Sequence, residues 1–284
     1  MIEIKLIPIN EFKRVRAADI DKQTKLQLLA DMCRANAIAT VKRAGSGHLG
    51  SSFSSLDIVT ALYFAEMNIA EVGISHPDRD IYFSSKGHDV PGHYAVLYAM
   101  GLLSEERFIN LRRHGGTHGH PDVSIPGIEA NSGSLGMGIS KAKGMAWAKN
   151  ASKAGGRVIV MTGDGELQEG QIWESLQTAA YQKVNNLIAI VDFNKIQTDK
   201  TVKEIIDLGD LARKFESFDW HAETCSGHDF AELENAFKRL NQISDRPKSL
   251  IADTINQTKG DSLGESIWTM LAGRDAKPVD GGVF

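Results

Sequence analysis

The 284-residue sequence predicts an α/β fold, a three-layer α/β/α arrangement around a mostly parallel sheet. Three observations carry this expectation. Short apolar runs alternate with segments of helical periodicity, the order that parallel strands and their crossover helices produce. The runs "RVIVMT" (Arg157–Thr162) and "LIAIVD" (Leu187–Asp192) are apolar almost throughout, as expected of strands covered on both faces. The first run ends in Gly163-Asp164-Gly165, directly before a helical pattern.

The elements follow in order. Residues 1–20 read as a short N-terminal extension, 21–260 as one domain, and 261–284 as a weakly periodic tail, expected to be loop. From Lys22 to Ala44, Leu26, Leu29, Ala30, Cys33, Ala37 and Val41 recur at helical spacing. A second helix is expected with Ser54 and Asp57 as its capping box and Leu56, Val59, Tyr63, Phe64 and Met67 on one face. Ile81–Ser85 reads as a short strand; Pro91–Met100, Ser104–Arg113 and Gly136–Lys153 read as helices. Helices are also expected at Gln171–Val184, Asp207–Phe215 and Asp229–Leu240, with strands near His221–Thr224 and at Ser249–Ile255.

The formal charge of −4 argues against general binding to nucleic acid or acidic membranes. No apolar run reaches the length of a bilayer span, and the first 21 residues lack the pattern of a signal peptide. Cys33 and Cys225 are far apart, with no C-x-x-C. A reduced, cytoplasmic setting is expected, with both cysteines as buried packing residues.

Gly45, Gly47 and Gly50 in "RAGSGHLGSS" match G-x-G-x-x-G, often a dinucleotide-binding turn. That turn requires a strand before the glycines and an acidic residue at a strand end about 20 positions later. Here a helical pattern precedes them, and Asp57 and Glu66 fall within the next helix. A loop between two helices, carrying His48, fits better.

The turn at Gly163-Asp164-Gly165 is the stronger phosphate site. It places backbone N–H groups and a helix N-terminus outside the carboxyl end of a parallel strand. A lone carboxylate there repels phosphate, so Asp164 makes sense with a divalent cation between them. Magnesium favours carboxylate, amide, carbonyl and phosphate oxygens. Asn194 follows the next strand 30 residues later, one strand–helix–strand unit, which would bring it beside Asp164. Ordinary turns account for either motif alone; the pair points to a site.

G-D-G followed by Asn at this distance is the pattern of thiamine-diphosphate enzymes. "GDGELQEGQIWES" with "VDFNKI" resembles transketolases specifically, and "AGSGHLGSS", "SSKGHDVPGHYAVLYA", "HGHPD" and "NSGSLGMGIS" match further family segments in order. The resemblance covers roughly residues 22–257 and implies the thiamine-diphosphate-binding fold, specifically its diphosphate-binding domain. It implies thiamine diphosphate and Mg2+ (or Ca2+ or Mn2+ in its place), the metal held by Asp164, Asn194 and the backbone carbonyl of Ile196. Gly165 and Asn194 would approach the diphosphate. Gly133, Ser134 and Leu135 would lie along the cofactor, and His88 would contact it. His48 and His120 match histidines on the substrate side. Glu169 matches an acid near the subunit interface, coupled to cofactor activation in the other subunit. The implied chemistry needs a hydroxyl proton removed, and histidine titrates in the right range. A zinc site at His114, His118 and His120 is an alternative, without a supporting Cys or H-E-x-x-H pattern. His93, His221 and His228 read as surface or capping residues.

A complete transketolase is more than twice this long. The resemblance therefore implies a partner: a second subunit carrying the pyrimidine-binding and C-terminal domains, assembled with this chain as a heterotetramer. The family's histidine after the last strand has no counterpart, since no histidine follows His228. This makes a modified sugar or an acyl donor such as pyruvate more plausible than the ordinary pentose phosphates. The favoured reading is a transketolase subunit transferring a two-carbon ketol unit from a ketose or ketose phosphate to an aldehyde. The alternative is a two-component acyl transferase or 2-keto acid decarboxylase or dehydrogenase subunit; the segments around His48, His88 and His120 favour the former. A non-catalytic module is the third reading.

Overall fold

The computed structural model describes residues 5–197 and 200–256. Its elements, in chain order, begin with α1 (Ile9–Ala17), α2 (Lys22–Ala44) and α3 (Leu49–Ala61), which runs into a π-helical turn. There follow α4 (Ile69–Val72), β1 (Ile81–Ser84), α5 (Val90–Ala99), α6 (Glu105–Ile109) and α7 (Gly138–Ser152). Then come β2 (Val158–Gly163), a 3-10 turn (Gly165–Gln168), α8 (Gly170–Tyr181), β3 (Leu187–Phe193) and a hairpin of β4 (Ile196–Gln197) and β5 (Lys200–Thr201). The described chain closes with α9 (Val202–Ile205), α10 (Leu211–Glu216), β6 (His221–Ser226), α11 (Phe230–Gln242) and β7 (Lys248–Asp253).

Five strands form one sheet in the order β1-β2-β3-β7-β6, every pair parallel. The central strands are apolar on both faces. Ile159 and Met161 of β2 join a core built with α1, α2, α3, α5 and α11. Val158 and Val160 of the same strand join the opposite core, with α7, α8 and α10. This is the three-layer α/β/α arrangement expected. The helix predicted at Lys22–Ala44 forms over that range, capped by Asp21, whose carboxylate accepts from Thr24 N–H at 2.9 Å. No helix among the described residues is long and apolar enough to cross a membrane.

Four expectations change. The N-terminal extension contains α1, whose Phe12 is fully buried and meets Tyr98 edge-on at 6.3 Å between ring centroids. The second helix starts at Leu49, so Ser54 and Asp57 lie within it and form no capping box. Their polar groups instead serve buried partners: Ser54 donates to Asp192 at 2.6 Å, and Asp57 accepts from Arg34 at 2.7 Å. Helix α6 stops at Ile109, where a glycine-rich loop begins. His93, expected at the surface, is buried on α5 between Tyr63 and Tyr82, its Nε2 2.9 Å from the Tyr63 hydroxyl. The expected tail at 261–284 lies outside the described residues. Cys33 is buried as expected, while Cys225 is half-buried on β6.

Gly45 ends α2 in the left-handed region at φ 72°. A Cβ on Gly47 would lie 2.8 Å from Val41 Cγ2. The glycine motif is therefore a tight link between two helices, with His48 at the start of α3.

Removing the Phe12 ring tests whether α1 belongs to the cooperative fold. Phe12→Ala is expected to cost about 3 kcal/mol, the usual range for an emptied aromatic site. Urea unfolding measures it; an unchanged midpoint would show that α1 docks without supporting the core.

Candidate functional site

The carboxyl ends of β1, β2, β3 and β7 gather the polar residues that the apolar strands exclude. Strands β2 and β3 pair with Gly163 opposite Asp192, so the turns that follow leave the sheet side by side. Asp164 sits in the first turn, 1% exposed. Its Oδ1 accepts from Gly165 N–H at 2.8 Å and its Oδ2 from Lys195 N–H at 2.6 Å. Burial and the neighbouring Asp192 charge push its carboxyl up to about 7, against the pull of those two N–H bonds.

Asn194 lies in the second turn. Its amide donates to Ser54 Oγ at 3.2 Å and Asp192 Oδ2 at 3.3 Å, while its Oδ1 accepts from Ile196 N–H at 3.0 Å. The structure thus brings Asp164, Asn194 and Ile196 into one neighbourhood. The donor set is carboxylate, amide and carbonyl oxygen, the hard set that magnesium prefers. A buried carboxylate short of positive charge also fits a cation. A Cβ on Gly165 would lie 2.6 Å from Gln197 Oε1 and 3.1 Å from its Cβ, so a larger residue here would push the Gln197 side chain aside.

The other candidates surround this turn. His88 follows β1 and sits 5.4 Å from His48, ring centroid to centroid. His120 packs against two glycines: a Cβ on Gly133 would lie 2.6 Å from its Cδ2, and one on Gly87 would lie 3.1 Å away. Gly133 has φ 114° and its N–H reaches Ser85 O at 3.4 Å. Ser134 and Leu135 continue that loop as exposed residues. Glu169 precedes α8, exposed, with its side chain against Gly136. Burial holds His88 down to about 4, helped by the Lys86 charge. Burial also lowers His48, with Arg112 and His120 adding to the effect.

Two anchoring groups were missed by sequence reasoning. Glu166 is 3% exposed, and its carboxylate ties three loops together. It accepts from the Ser85 hydroxyl, from Gly136 N–H at 2.8 Å and from Gly163 N–H at 3.2 Å. Lys86 and Asp192 form a buried ion pair below the turns. Lys86 also donates to Ser51 Oγ at 3.0 Å and lies 3.5 Å from Asp89; Asp192 also accepts from Thr254 and Ser54. Burial disfavours both charges, yet the pairing leaves Lys86 above and Asp192 below their ordinary ranges. The available signal was an ionisable residue within three residues of the end of an apolar strand in each case.

Among the described residues no three His, Cys, Asp or Glu side chains gather as a metal site, so His114, His118 and His120 are not brought together as zinc ligands. His228, expected at the surface or as a cap, bridges elements instead. Its Nδ1 lies 2.7 Å from Asp57 Oδ2, and its Nε2 accepts from Ile255 N–H at 3.0 Å. His221 stands on β6 beside Glu223, at 3.0 Å.

The sequence model of the transketolase thiamine diphosphate binding domain matches residues 25–262. This chain belongs to the transketolase family. As a transketolase-family protein it carries the domain that binds thiamine diphosphate. It is 34% identical to one of the subunits named for the apulose-4-phosphate transketolase of Phocaeicola vulgatus, over 85% of this chain and 86% of that one. It is 35% identical to the 6-deoxy-6-sulfo-D-fructose transketolase subunit SqwG of a Clostridium species, over 86% of this chain and 90% of that one. The solved transketolase of Campylobacter jejuni superposes with a TM-score of 0.79 at 28% identity. The match covers 89% of this chain but 42% of that one, so the chain spans about two fifths of a solved transketolase's length.

Two outcomes follow for this transketolase-family chain. Glu166→Gln replaces one acceptor oxygen by a donor facing N–H groups, and is expected to cost about 2 kcal/mol. It should also loosen the loop at 133–136, read as faster amide hydrogen exchange there; unchanged exchange would count against the anchoring role. The second concerns pH. Burial holds His93, like His88, at about 4 in the fold, against about 6.5 in the unfolded chain. The unfolded chain therefore binds more protons, and stability falls as pH drops from about 6.5 toward 4. Urea midpoints at pH 7.5 and 5.5 should differ less in His93→Gln than in the native chain; an equal difference would remove His93 from the account.

Proposed function

We propose that this chain is the diphosphate-binding subunit of a two-component transketolase. It transfers a two-carbon ketol unit from a ketose or ketose phosphate to an aldehyde, using thiamine diphosphate and Mg2+. Its partner is a second subunit carrying the pyrimidine-binding and C-terminal domains, assembled with it as a heterotetramer in the cytoplasm. The observation that carries this reading is the bond from Lys195 N–H to Asp164 Oδ2 at 2.6 Å, which draws the turn bearing Asn194 and Ile196 onto the Gly163-Asp164-Gly165 turn. The split arrangement is supported by relatives named as subunits and matched over 86% and 90% of their lengths.

In this reading Asp164, Asn194 and the Ile196 carbonyl hold Mg2+, and Gly165 lets the backbone approach the diphosphate. Gly133, Ser134 and Leu135 line the cofactor, and His88 contacts it. Bound thiamine diphosphate supplies the electron sink for breaking the bond beside the ketose carbonyl. The chain's own residues handle the proton. His48 and His120 face the substrate hydroxyls. His48, held below the ordinary histidine range by burial and then by Arg112 and His120, is neutral at pH 7 and accepts a hydroxyl proton at its free ring nitrogen. His88 Nδ1 lies 2.9 Å from the Lys86 carbonyl, which only accepts, so Nδ1 carries the proton and Nε2 is the free acceptor. Exposed Glu169 couples the two halves of the site by reaching toward the partner.

Co-production with the partner subunit, followed by parallel assays with ketose phosphates and with pyruvate, tests the reaction. Turnover of a ketose with an aldehyde acceptor is expected; turnover of pyruvate alone would overturn the reading. Asp164→Ala is expected to weaken Mg2+-dependent cofactor binding by more than about 100-fold, measured by isothermal titration calorimetry. Binding at native affinity would displace Asp164 from the metal.

A further inference from the structure

The exit of β7 is held by a chain of side chains from three other places in the fold. Arg34 on α2 donates to Asp57 Oδ1 on α3 at 2.7 Å. The other oxygen, Asp57 Oδ2, lies 2.7 Å from Nδ1 of His228, in the turn between β6 and α11. His228 Nε2 accepts from Ile255 N–H at 3.0 Å, two residues past the end of β7. Arg34 and Asp57 are buried, but Ile255 is exposed, so packing does little to hold it. The residue before it matters for the site. Thr254 donates its hydroxyl to Asp192, the carboxylate that also accepts from Asn194.

The two bonds of His228 fix the state of its ring. A backbone N–H only donates, so Nε2 is the bare nitrogen; a carboxylate only accepts, so Nδ1 carries the proton. The ring is therefore neutral, and a second proton goes to Nε2. That proton strengthens the pair with Asp57 but turns the acceptor of Ile255 into a donor facing a donor. The turn that carries His228 is fastened on both sides. Gly227 N–H donates to Asp253 O at 2.7 Å, and Ser226 N–H to the Glu232 carboxylate at 2.8 Å. Asp229 caps α11, accepting from Ala231 and Glu232 N–H at 2.8 and 3.0 Å. The charged groups facing the turn are Asp57 from α3, Arg34 and its partner Asp31 from α2, and Asp229 and Glu232 from α11. Asp253 at the end of β7 is paired with Lys195, and burial holds the Cys225 thiol on β6 up to about 12.

We propose that His228 is a positioning residue for the turn bearing Asn194: its neutral ring clasps the exit of β7 and so keeps Thr254 on Asp192, and a proton on Nε2 opens the clasp. The proton comes from solvent, which reaches the half-buried ring. Ile255 then leaves Nε2, Thr254 is loosened, and Asp192 loses a fixed neighbour on the side away from Lys86. Asn194 follows, because its amide rests on Asp192. The consequence for Mg2+ rests on the function proposed above; the clasp itself rests on the two bonds of His228.

Two measurements test it. In the first, amide hydrogen exchange at Ile255 of the full chain is followed at pH 7.5 and 5.5, each rate divided by the intrinsic rate at that pH. Protection in the native chain is expected to fall about tenfold at the lower pH, the loss of one hydrogen bond. His228→Gln offers a donor and an acceptor on a side chain that does not titrate, so its protection is expected to be equal at the two pH values. His228→Leu offers neither and is expected to lose protection at both. A native chain without the fall, or a Gln variant with the same fall, would overturn the clasp. In the second, Mg2+-dependent binding of thiamine diphosphate by the complex with its partner is measured by isothermal titration calorimetry at the same two pH values. Native affinity relative to that of His228→Gln is expected to fall about threefold from pH 7.5 to 5.5. A ratio that does not change with pH would leave His228 a purely structural role and overturn its positioning of Asn194. If the cofactor binds equally with and without Mg2+ while the exchange step at Ile255 persists, the metal reading fails and the clasp stands.

Discussion

The ion pair between Lys86 and Asp192 holds the site-bearing end of the molecule together. Both groups lie under the carboxyl ends of the strands, 2% and 0% exposed. Two charges taken from water cost several kcal/mol each unless they are paired and their remaining positions filled. Here they are filled by Ser51, Ser54, Asp89 and Thr254, contributed by α3, the turn after β1 and the exit from β7. Asn194 then hangs from Asp192 and Ser54. One buried pair therefore orders loops that are remote in sequence, and the orientation of Asn194 depends on it.

Above that pair, the site is shaped by close approach. Glycines at 87, 133 and 165 stand where a Cβ would collide with a neighbouring loop, with His120 or with Gln197. Glu166 compensates for the absence of side-chain packing at these loops by accepting hydrogen bonds from Ser85, Gly136 and Gly163. The rim beyond them is apolar and open, with Leu135 43% and Met137 38% exposed. A rigid floor with an unfilled apolar rim is the form expected of a site completed by another surface, in keeping with the split enzyme proposed above.

Charge divides the site into two regions. Around Asp164 burial, and then the charge of Asp192, raise the carboxyl to about 7, and a bound cation is favoured. Around Arg112 the side chains of Arg107 and Arg113 add positive charge, and the Arg112 guanidinium helps keep His48 neutral. The two histidines that face each other, His48 and His88, lie on the loops between these regions.

The sequence by itself determined the sheet and most of its helices, because apolar period and burial are written in neighbouring residues. Thus "RVIVMT" and "LIAIVD" became the central strands β2 and β3, and the 30-residue spacing placed Asp164 and Asn194 on adjacent strand ends. It also made the loop at Gly45 and Gly47 legible, since a helical pattern stood on both sides. It did not reveal α1, whose short apolar face acquires meaning only against Tyr98, nor the true start of α3 at Leu49. Ser54 and Asp57 looked like a cap because local spacing allows one. Their partners Asp192 and His228 lie 138 and 171 residues away, at distances only the folded chain closes. Glu166 and Lys86 follow the same rule. A charged side chain is read locally as a solvated surface group, and only the tertiary structure decides whether it is paired and buried.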